Sequence, residues 1–268
     1  MMGLRATALF ACVPILGCSA LLNPTQASSP RASSTSPWRS VMYDGFSSFE
    51  DSRWTRYDQQ SWARDDARVL ARNVRTSHGR LRVEAKHEWS AGRAYTSGDL
   101  TSAGKFVLPN YFKVTIRAKV PMEHGMWAAP LWFRPSDGSA GEIDLVETYG
   151  REKSQPTVHQ TIHTEYGKGH RQNAVTYPFS KLDGSATDWH TYTVEKTKGQ
   201  IRMWVDGRLT STFNRSTASW FDPYYEAGKQ WSLRICLQVG GSDVRPDDST
   251  DWSRTTMKID KIQAWVPR

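Results

Sequence analysis

Three carboxylic acids, Glu142, Asp144 and Glu147, lie within six residues of the chain and are separated by isoleucine, leucine and valine. Burying several carboxylates in an apolar segment costs free energy, so their presence together indicates a functional role. Two carboxylic acids held at a fixed distance can cut a glycosidic bond, one as nucleophile or base and the other as proton donor. This segment is therefore the first candidate for a catalytic site.

The distance between the acids depends on the shape of the strand that carries them. In a regular strand Glu142 and Asp144 share a face, and Glu147 points away from it. One extra residue, a β-bulge between Asp144 and Glu147, would return Glu147 to the face of Glu142. The Cα atoms of the two glutamates would then be about four strand steps, roughly 13 Å, apart. Side chains reaching inward would bring their carboxyl groups to about 5 Å, the separation found in retaining glycosidases.

Asp144 lies between the two glutamates in the sequence. It is predicted to share a proton with Glu142 and to help keep one glutamate ionised while the other stays protonated. An acidic, solvent-facing edge strand is the alternative interpretation of the same six residues. The motif alone does not separate the two interpretations, so the surrounding sequence has to decide.

The rest of the chain alternates with the period of β-strands. In Tyr111–Val120 every second residue is apolar, which predicts a half-buried strand. Thr191–Phe213 predicts hairpins with tight turns at Lys198-Gly199 and Asp206-Gly207. Further strands are predicted at Arg80–His87, Trp127–Phe133, Glu142–Thr148, Val158–Tyr166, Trp231–Val239 and Met257–Val266. Many short strands separated by turn residues predict a single all-β domain, a sandwich or barrel of antiparallel sheets.

The N-terminal region predicts export. Arg5 precedes an apolar stretch, Ala6–Leu16, which is too short to span a bilayer and is typical of a secretory signal. The following residues are rich in Ser, Thr and Pro and cannot build a core. We expect a signal peptide over residues 1–17, a tether over 18–37 and the catalytic domain over 38–268.

Cys18 follows the apolar stretch and Gly17, an arrangement that resembles the lipidation site of bacterial lipoproteins. Leu16 is larger than the residue usual at its position, and cleavage after Ala27 of a freely secreted protein is the alternative. Either outcome predicts an extracellular or cell-surface protein, with any membrane attachment made through the lipid. After removal of the leader Cys236 is the single remaining thiol, so no disulfide forms within the domain.

Composition excludes several classes of function. The 12% aromatic content excludes a disordered chain, and a mean hydropathy of −0.61 excludes a membrane-embedded body. The net charge is +8, of which Arg5, Arg31 and Arg39 precede residue 41. The body is therefore only mildly basic and has no run of lysine and arginine, which argues against a nucleic-acid partner.

Several short segments occur in an order that identifies a family. They are Tyr95-Thr96-Ser97-Gly98, Gly125-Met126-Trp127, Leu131-Trp132-Phe133, Gly141 to Glu147, Thr161-Ile162-His163, Trp189 to Gly207, Val239-Gly240-Gly241 and Met257 to Asp260. Together they resemble glycoside hydrolase family 16, the laminarinase- and lichenase-like β-glucanases, over nearly all of residues 41–268. The resemblance implies a concanavalin-like jelly-roll sandwich of two antiparallel sheets with a concave substrate cleft. It also implies endo-acting, retaining hydrolysis with Glu142 as nucleophile, Glu147 as acid/base and Asp144 as the assisting carboxylate.

The same resemblance implies substrate contacts. Trp127 and Trp132 are predicted to stack against sugar rings, and His163 to hydrogen-bond the substrate or the catalytic carboxylates. Arg234 and Gln238 lie on one face of a strand that lines the cleft in the family, with Leu233, Ile235, Leu237 and Val239 facing the core. Cys236, on the cleft face, is expected to be a passive buried thiol. His159 and His170 are interpreted as structural.

Three departures leave the substrate open. Ala140 stands where many relatives have tryptophan, the spacing from Trp127 to Trp132 is one residue longer than usual, and Cys236 replaces a frequent asparagine. A β-1,3- or β-1,3/1,4-glucan is the expected polysaccharide. The alternatives are a galactan such as agar or carrageenan, a transglycosylase that uses the same acids, and a glycan-binding module without activity. We expect a monomer that requires no cofactor. The family implies a structural calcium ion near Asp260, and the metal ligands are otherwise unknown.

Overall fold

The computed structural model describes residues 36–167, 169–241 and 244–268. The predicted signal peptide, Cys18 and nearly all of the tether lie outside the described residues. Within the described ranges no helix is both long and apolar enough to cross a membrane.

Strands dominate the described part of the chain. They are β1 (Trp38–Asp44), β2 (Thr55–Arg56), β3 (Ala67–Val69), β4 (Val74–Thr76), β5 (Leu81–Glu84), β6 (Tyr95–Thr101), β7 (Phe112–Lys119), β8 (Met126–Pro135), β9 (Glu142–Tyr149), β10 (Thr157–His163), β11 (Gln172–Pro178), β12 (His190–Thr197), β13 (Gln200–Val205), β14 (Arg208–Asn214), β15 (Trp231–Val239) and β16 (Thr256–Pro267). The helical elements are the short helix α1 (Phe221–Tyr225) and 3₁₀ turns at Ala71–Asn73, Gly150–Glu152, Phe179–Lys181 and Trp252–Arg254.

These strands form two sheets. The first sheet has the order β14-β13-β12-β7-β16-β5-β4, with β1 also paired to β16. The second sheet has the order β11-β10-β9-β8-β15-β6-β2, and the short β3 pairs with β6. All pairings are antiparallel except that of β3 with β6, so the all-β, two-sheet prediction is confirmed.

The core lies between the sheets, where alternation of each strand places its apolar residues. In β7 Phe112, Val114 and Ile116 are fully buried, while the residues between them are partly exposed. The Phe112 ring lies 5.2 Å, centroid to centroid, from Phe133 of β8 in the second sheet. Contacts of this kind join the two sheets, because apolar area is removed from water on both inner faces.

The predicted hairpins are confirmed. Asp206 and Gly207 both have positive φ, 49° and 77°, which is the backbone that a tight two-residue hairpin loop requires. Two strands end three residues earlier than predicted, because β10 stops at His163 rather than at Tyr166 and β5 stops at Glu84 rather than at His87. Residues 164–166 instead begin the loop to β11, and this loop turns over the second sheet beside the acids.

Candidate active site

The predicted bulge in the acidic strand is present. Along β10 the step from His159 to Thr161 is two residues, whereas the paired step on β9, from Glu147 to Asp144, is three. The extra residue of β9 reverses the alternation, so that Glu147 lines the same cavity as Glu142 and Asp144. The prediction of a bulge between Asp144 and Glu147 is therefore confirmed.

A second bulge lies in the neighbouring strand β8. Cys236 and Arg234 of β15 are two residues apart, but their partners on β8, Ala129 and Trp132, are three apart. Trp127 and Trp132 are an odd number of positions apart and would face opposite sides of a regular strand. The extra residue places both indoles on the cleft, which explains the unusually long spacing between them in the sequence.

The cleft has a volume of about 770 Å³. All of the side chains predicted to act in catalysis or substrate binding line it, namely Glu142, Asp144, Glu147, Trp127, Trp132, His163, Arg234 and Gln238. The structure thus brings the predicted site residues together, on the adjacent strands β8, β9, β10 and β15.

Glu142 is buried and held on both carboxylate oxygens. The Nη1 atom of Arg134 donates to Oε2 over 2.9 Å, and the hydroxyl of Tyr166 donates a short hydrogen bond to Oε1. Behind the strand, the hydroxyl of Tyr225 lies 2.8 Å from the main-chain oxygen of Glu142 and 2.7 Å from that of His163. Tyr225 therefore connects β9 to β10 beside the side chains of Glu142 and His163. Together with Arg134 and Tyr166 it fixes the orientation of the Glu142 carboxylate.

Asp144 contacts a chain of two histidines. The Nε2 atom of His163 lies 2.9 Å from Oδ2 of Asp144, and its Nδ1 atom lies 3.0 Å from Nε2 of His170. Burial and the charge of Glu142 raise the pKa of Asp144 well above its usual value. Burial lowers the pKa of His163, which favours the neutral ring. The two shifts favour the protonated form of Asp144 and the neutral form of His163.

Glu147 is in a different environment from Glu142. Its Oε1 atom accepts a hydrogen bond of 2.8 Å from Nε1 of Trp127. Burial and the neighbouring Asp144 nevertheless raise the pKa of Glu147 to about 8. A carboxyl group that keeps its proton at neutral pH can act as a general acid. The environment of Glu147 thus fits the role of proton donor.

The predicted binding residues differ in what they contact. Trp127 is engaged with Glu147 and packs against Tyr149 at 5.2 Å, whereas Trp132 faces the guanidinium of Arg234 at 5.1 Å. The Nε atom of Arg234 and the Oε1 atom of Gln238 are buried and have no hydrogen-bond partner among the described residues. Both side chains line the cleft, and these two atoms have hydrogen-bonding capacity that the protein itself does not use.

The alternation predicted for β15 is confirmed on both faces. Leu233, Ile235, Leu237 and Val239 are buried in the core, while Cys236 lies on the cleft side and is 6% exposed. Burial raises the pKa of the Cys236 thiol well above its usual value. The neutral thiol agrees with the expectation of a passive residue.

A fourth carboxyl group in the cleft was not predicted. Asp99 of β6 is 4% exposed, and burial raises its pKa to about 7 against the opposing charge of Arg234. Asp65 beside it is equally perturbed, with a pKa raised by burial to about 7. Asp65 accepts hydrogen bonds from the main-chain nitrogens of Ala67 and Val239, so it anchors the loop before β3 to the end of β15.

Sequence reasoning also missed Arg134, Tyr166 and His170. Arg134 lies two residues after Trp132 on β8, and the period of two could have placed it on the cleft face. Tyr166 and His170 lie in the loop after β10, where no periodicity indicates direction. His170 was interpreted as structural, yet it lines the cleft and contacts His163. His159 also lines the cleft and is bound by Glu152 at 2.9 Å.

Two groups of side chains are candidates for binding a metal ion. One ligand atom each from Glu142, Asp144 and His163 lies within 4.8 Å of the others, but the guanidinium of Arg134 already neutralises Glu142. The carboxylate of Asp260, where the family resemblance implies calcium, accepts from Arg117 at 3.1 Å and is 3.8 Å from Arg80. With two guanidinium partners, the residues at Asp260 do not fit a calcium site, which needs several free oxygen ligands.

Comparison with known proteins identifies the family of this site. A family model described as "Glycosyl hydrolases family 16" matches residues 58–259. A β-glucanase of Rhodothermus marinus is 32% identical over 260 residues, which cover 89% of this chain and 86% of that protein. "Glucan endo-1,3-beta-glucosidase A1" of Niallia circulans is 27% identical over 81% of this chain, but the match covers only 35% of that longer protein.

Comparison with a solved structure supports the same family at the level of the fold. The catalytic domain of an endo-1,3-beta-glucanase (laminarinase) from Thermotoga petrophila RKU-1 superimposes with a TM-score of 0.76 at 25% identity, covering 86% of this chain and 98% of that chain. This likeness confirms the predicted jelly-roll sandwich. The family match and the likeness to the Rhodothermus protein show that the chain belongs to glycosyl hydrolase family 16 and is a glycosidase.

Proposed function

We propose that this chain is an endo-acting, retaining β-glucanase that cleaves β-1,3 or β-1,3/1,4 linkages. The observation that carries the proposal is the contrast between two glutamates on one face of β9. Glu142 is held as a carboxylate by Arg134 and Tyr166, while Glu147 has its pKa raised to about 8. The linkage follows the names of two relatives, the β-glucanase of Rhodothermus marinus and the glucan endo-1,3-beta-glucosidase of Niallia circulans.

The first step uses both glutamates. An oxygen of Glu142 attacks the anomeric carbon, the bond to the leaving sugar breaks, and the proton of Glu147 passes to the leaving oxygen. A covalent glycosyl ester on Glu142 results. In the second step the Glu147 carboxylate takes a proton from water, whose oxygen attacks the same carbon and releases Glu142. Neither step calls for a cofactor.

Asp144 has a supporting role in this scheme. Its raised pKa favours the protonated form, and Asp144 lies on the same face as Glu142, so its hydroxyl hydrogen can stabilise the Glu142 carboxylate when the ester is released. The Nε2 atom of His163 lies 2.9 Å from Oδ2 of Asp144, so the two side chains are neighbours in the cleft. We propose that Trp132, Arg234 and Gln238 contact sugar units on the β15 side of the cleft, and that Trp127 acts chiefly by positioning Glu147.

The test is an assay of residues 38–268 on laminarin, mixed-linkage glucan, agarose and carrageenan, with Glu142→Ala as the control. New reducing ends of intermediate size on a glucan, absent in the variant, would support the proposal, and proton NMR of the first-formed anomer would report retention. Cleavage of agarose or carrageenan alone would move the substrate to a galactan. Redistributed chain lengths without new reducing ends would indicate a transglycosylase, and binding without turnover a glycan-binding module.

We further propose that the protein is exported, lipidated at Cys18 and monomeric. The sequence before residue 38 supports export, and a polysaccharide substrate agrees with a location outside the cell. Metabolic labelling with a fatty acid, compared between the native chain and Cys18→Ser, tests the anchor. Sedimentation of residues 38–268 tests the monomer.

A further inference from the structure

A group of basic side chains, two arginines and a histidine, lies beside Glu142 and is not explained by the two-step reaction. Burial lowers the pKa of the histidine, His170, so the positive charge of the group is that of the two arginines. We call Arg64, Arg134 and His170, which surround the ring of Tyr166, the cationic cluster. The guanidinium carbons of Arg134 and Arg64 lie 5.5 and 5.8 Å from the centre of that ring. The His170 ring stacks on it at 4.8 Å. All four side chains line the cleft.

The charges of this cluster are only partly balanced. Arg134 is paired with Glu142 at 2.9 Å. Arg64, which is exposed, makes no salt bridge with any carboxylate of the described residues. On the loop of Arg64, the carboxylate of Asp66 is paired with Arg245 at 2.8 Å, and on the loop of Tyr166 the carboxylate of Glu165 is hydrogen-bonded to Tyr224. Within the described part of the chain, one guanidinium therefore projects into a catalytic cleft with no protein anion to neutralise it.

The carboxyl groups of the cleft do not balance the positive charge of the arginines at neutral pH. Burial raises the pKa of Asp144 well above its usual value and that of Glu147 to about 8. Asp99, across the cleft, has its pKa raised to about 7 and faces Arg234. On the side of the cluster, Glu142 is the carboxylate that pairs with an arginine, Arg134. A cleft with a net positive charge concentrates negatively charged ligands.

The chemistry of the cluster selects a planar or tetrahedral anion. A guanidinium presents parallel N–H donors that match two oxygens of a carboxylate or a sulfate ester. An uncharged glucan has no group that requires an unpaired arginine. The position of the cluster indicates which sugar unit it contacts. The sugar that becomes bonded to Glu142 must lie next to Arg134 and Tyr166.

We propose that the cationic cluster binds an anionic substituent, a carboxylate or a sulfate ester, on the sugar unit beside Glu142. The natural substrate is then a β-glucan that carries negative charges. This inference rests on the proposed β-glucanase function and specifies its substrate.

The experiment compares kcat/KM for unmodified, carboxymethylated and sulfated curdlan of equal chain length, in low salt. For the native protein we expect a ratio of charged to neutral substrate above one with at least one derivative, and the better derivative names the anion. Arg64→Gln should lower that ratio about fivefold, as for one partly exposed charge-assisted hydrogen bond. Arg208→Gln, an exposed arginine at the start of β14 in the other sheet, is the control and should leave the ratio unchanged.

The same ratio in the native protein and in Arg64→Gln, or an equal fall in Arg208→Gln, would overturn the inference and leave β-glucanase activity intact. If none of the polymers is cut, the proposed function fails instead. Titration calorimetry with carboxymethylated curdlan fragments then decides the inference alone, because tighter binding to Arg208→Gln than to Arg64→Gln supports it and equal binding overturns it.

Discussion

The indole nitrogen of Trp127 donates a 2.8 Å hydrogen bond to Oε1 of Glu147 from the adjacent strand. A donor to a carboxylate stabilises its charged form and so lowers its pKa. In the cleft this effect opposes burial and the neighbouring Asp144, which raise the pKa, and the outcome is about 8. Trp127 thus limits how far the pKa of the proton donor rises.

The pH dependence of the reaction should follow Glu147. Bond cleavage needs its protonated form, which is present below a pKa of about 8 and is lost above it. We expect kcat/KM to be insensitive to this group in weakly acidic solution and to fall about tenfold per pH unit on the alkaline side. A series of kcat/KM measurements on a soluble glucan at increasing pH follows this alkaline limb, the part of the profile in which activity falls. A decline that begins below pH 6 would contradict the assignment of Glu147.

Removing the indole donor should move that limb. In Trp127→Phe the aromatic ring is kept but the hydrogen bond that lowers the pKa of Glu147 is lost. The alkaline limb should therefore shift to higher pH, measured as kcat/KM against pH. Trp132→Phe is the matched control, because Trp132 makes no hydrogen bond with Glu147 and should leave the limb in place. An unchanged limb in both variants would show that Trp127 acts through stacking alone.

The two glutamates should respond differently to the leaving group. Glu147→Ala removes the proton donor and should lower kcat on a polysaccharide by about 10²–10⁴-fold. An aryl glycoside with an acidic phenol leaves without protonation, so its glycosylation step should lose far less. Glu142→Ala removes the nucleophile and should abolish cleavage of both substrates. Single-turnover release of the phenol measures the first step, and equal losses for both substrates in Glu147→Ala would reverse the proposed roles.

Much of this site follows from residue order. The bulge in β9 was predicted because Glu142 and Glu147 could share a face only if one residue were extra. The alternation of Leu233 and Ile235 with polar residues separated the two faces of β15, and the family resemblance implied which of them lines the cleft. Such inferences succeed where a strand is long and one of its faces is apolar, since the period of two then determines which face of the sheet each side chain lies on.

The remainder of the site depends on contacts between distant segments. Tyr166 reaches Glu142 from a loop, and the edge strand β11, which follows that loop, has no fully buried residue and was not predicted. The two aspartates with perturbed pKa values, Asp65 and Asp99, meet only when the loop before β3 folds onto β6 and β15. Neither loop direction nor the desolvation of a side chain can be read from periodicity, because both arise from the packed tertiary structure.

Asp99 should make the stability depend on pH. Its pKa is raised from 3.8 to about 7 in the folded protein, so the folded state binds a proton that the unfolded state releases. Its contribution is fully present below about pH 4 and is lost as pH rises through 7, a change of up to roughly 4 kcal/mol. Asp99→Asn cannot titrate, and its free energy of unfolding should fall less between pH 4 and 8. Urea denaturation at several pH values measures this difference, and parallel curves would show that Asp99 is ionised throughout.

Gly150 fixes the end of the catalytic strand against a neighbouring loop. It directly follows β9, and a Cβ atom placed on it would lie 1.9 Å from the main-chain oxygen of Glu123. That backbone cannot move cheaply, because the buried Glu123 side chain is bound by Lys153 at 2.7 Å. Gly150→Ala should therefore cost roughly 2–3 kcal/mol of unfolding free energy or more, the cost of overpacking, and should lower kcat by displacing Glu147.

Gly79→Ala separates steric overlap from the loss of glycine itself. Gly79 has a φ of 63°, and a Cβ atom placed on it would meet no other atom within 4 Å, so alanine there costs only the left-handed backbone, about 1 kcal/mol. Urea denaturation of both variants should rank Gly150→Ala well below Gly79→Ala in stability, with Gly79→Ala retaining full activity. Equal stability of the two would mean that the chain after β9 shifts freely, and the alignment of Glu147 with Glu142 would then not depend on this contact.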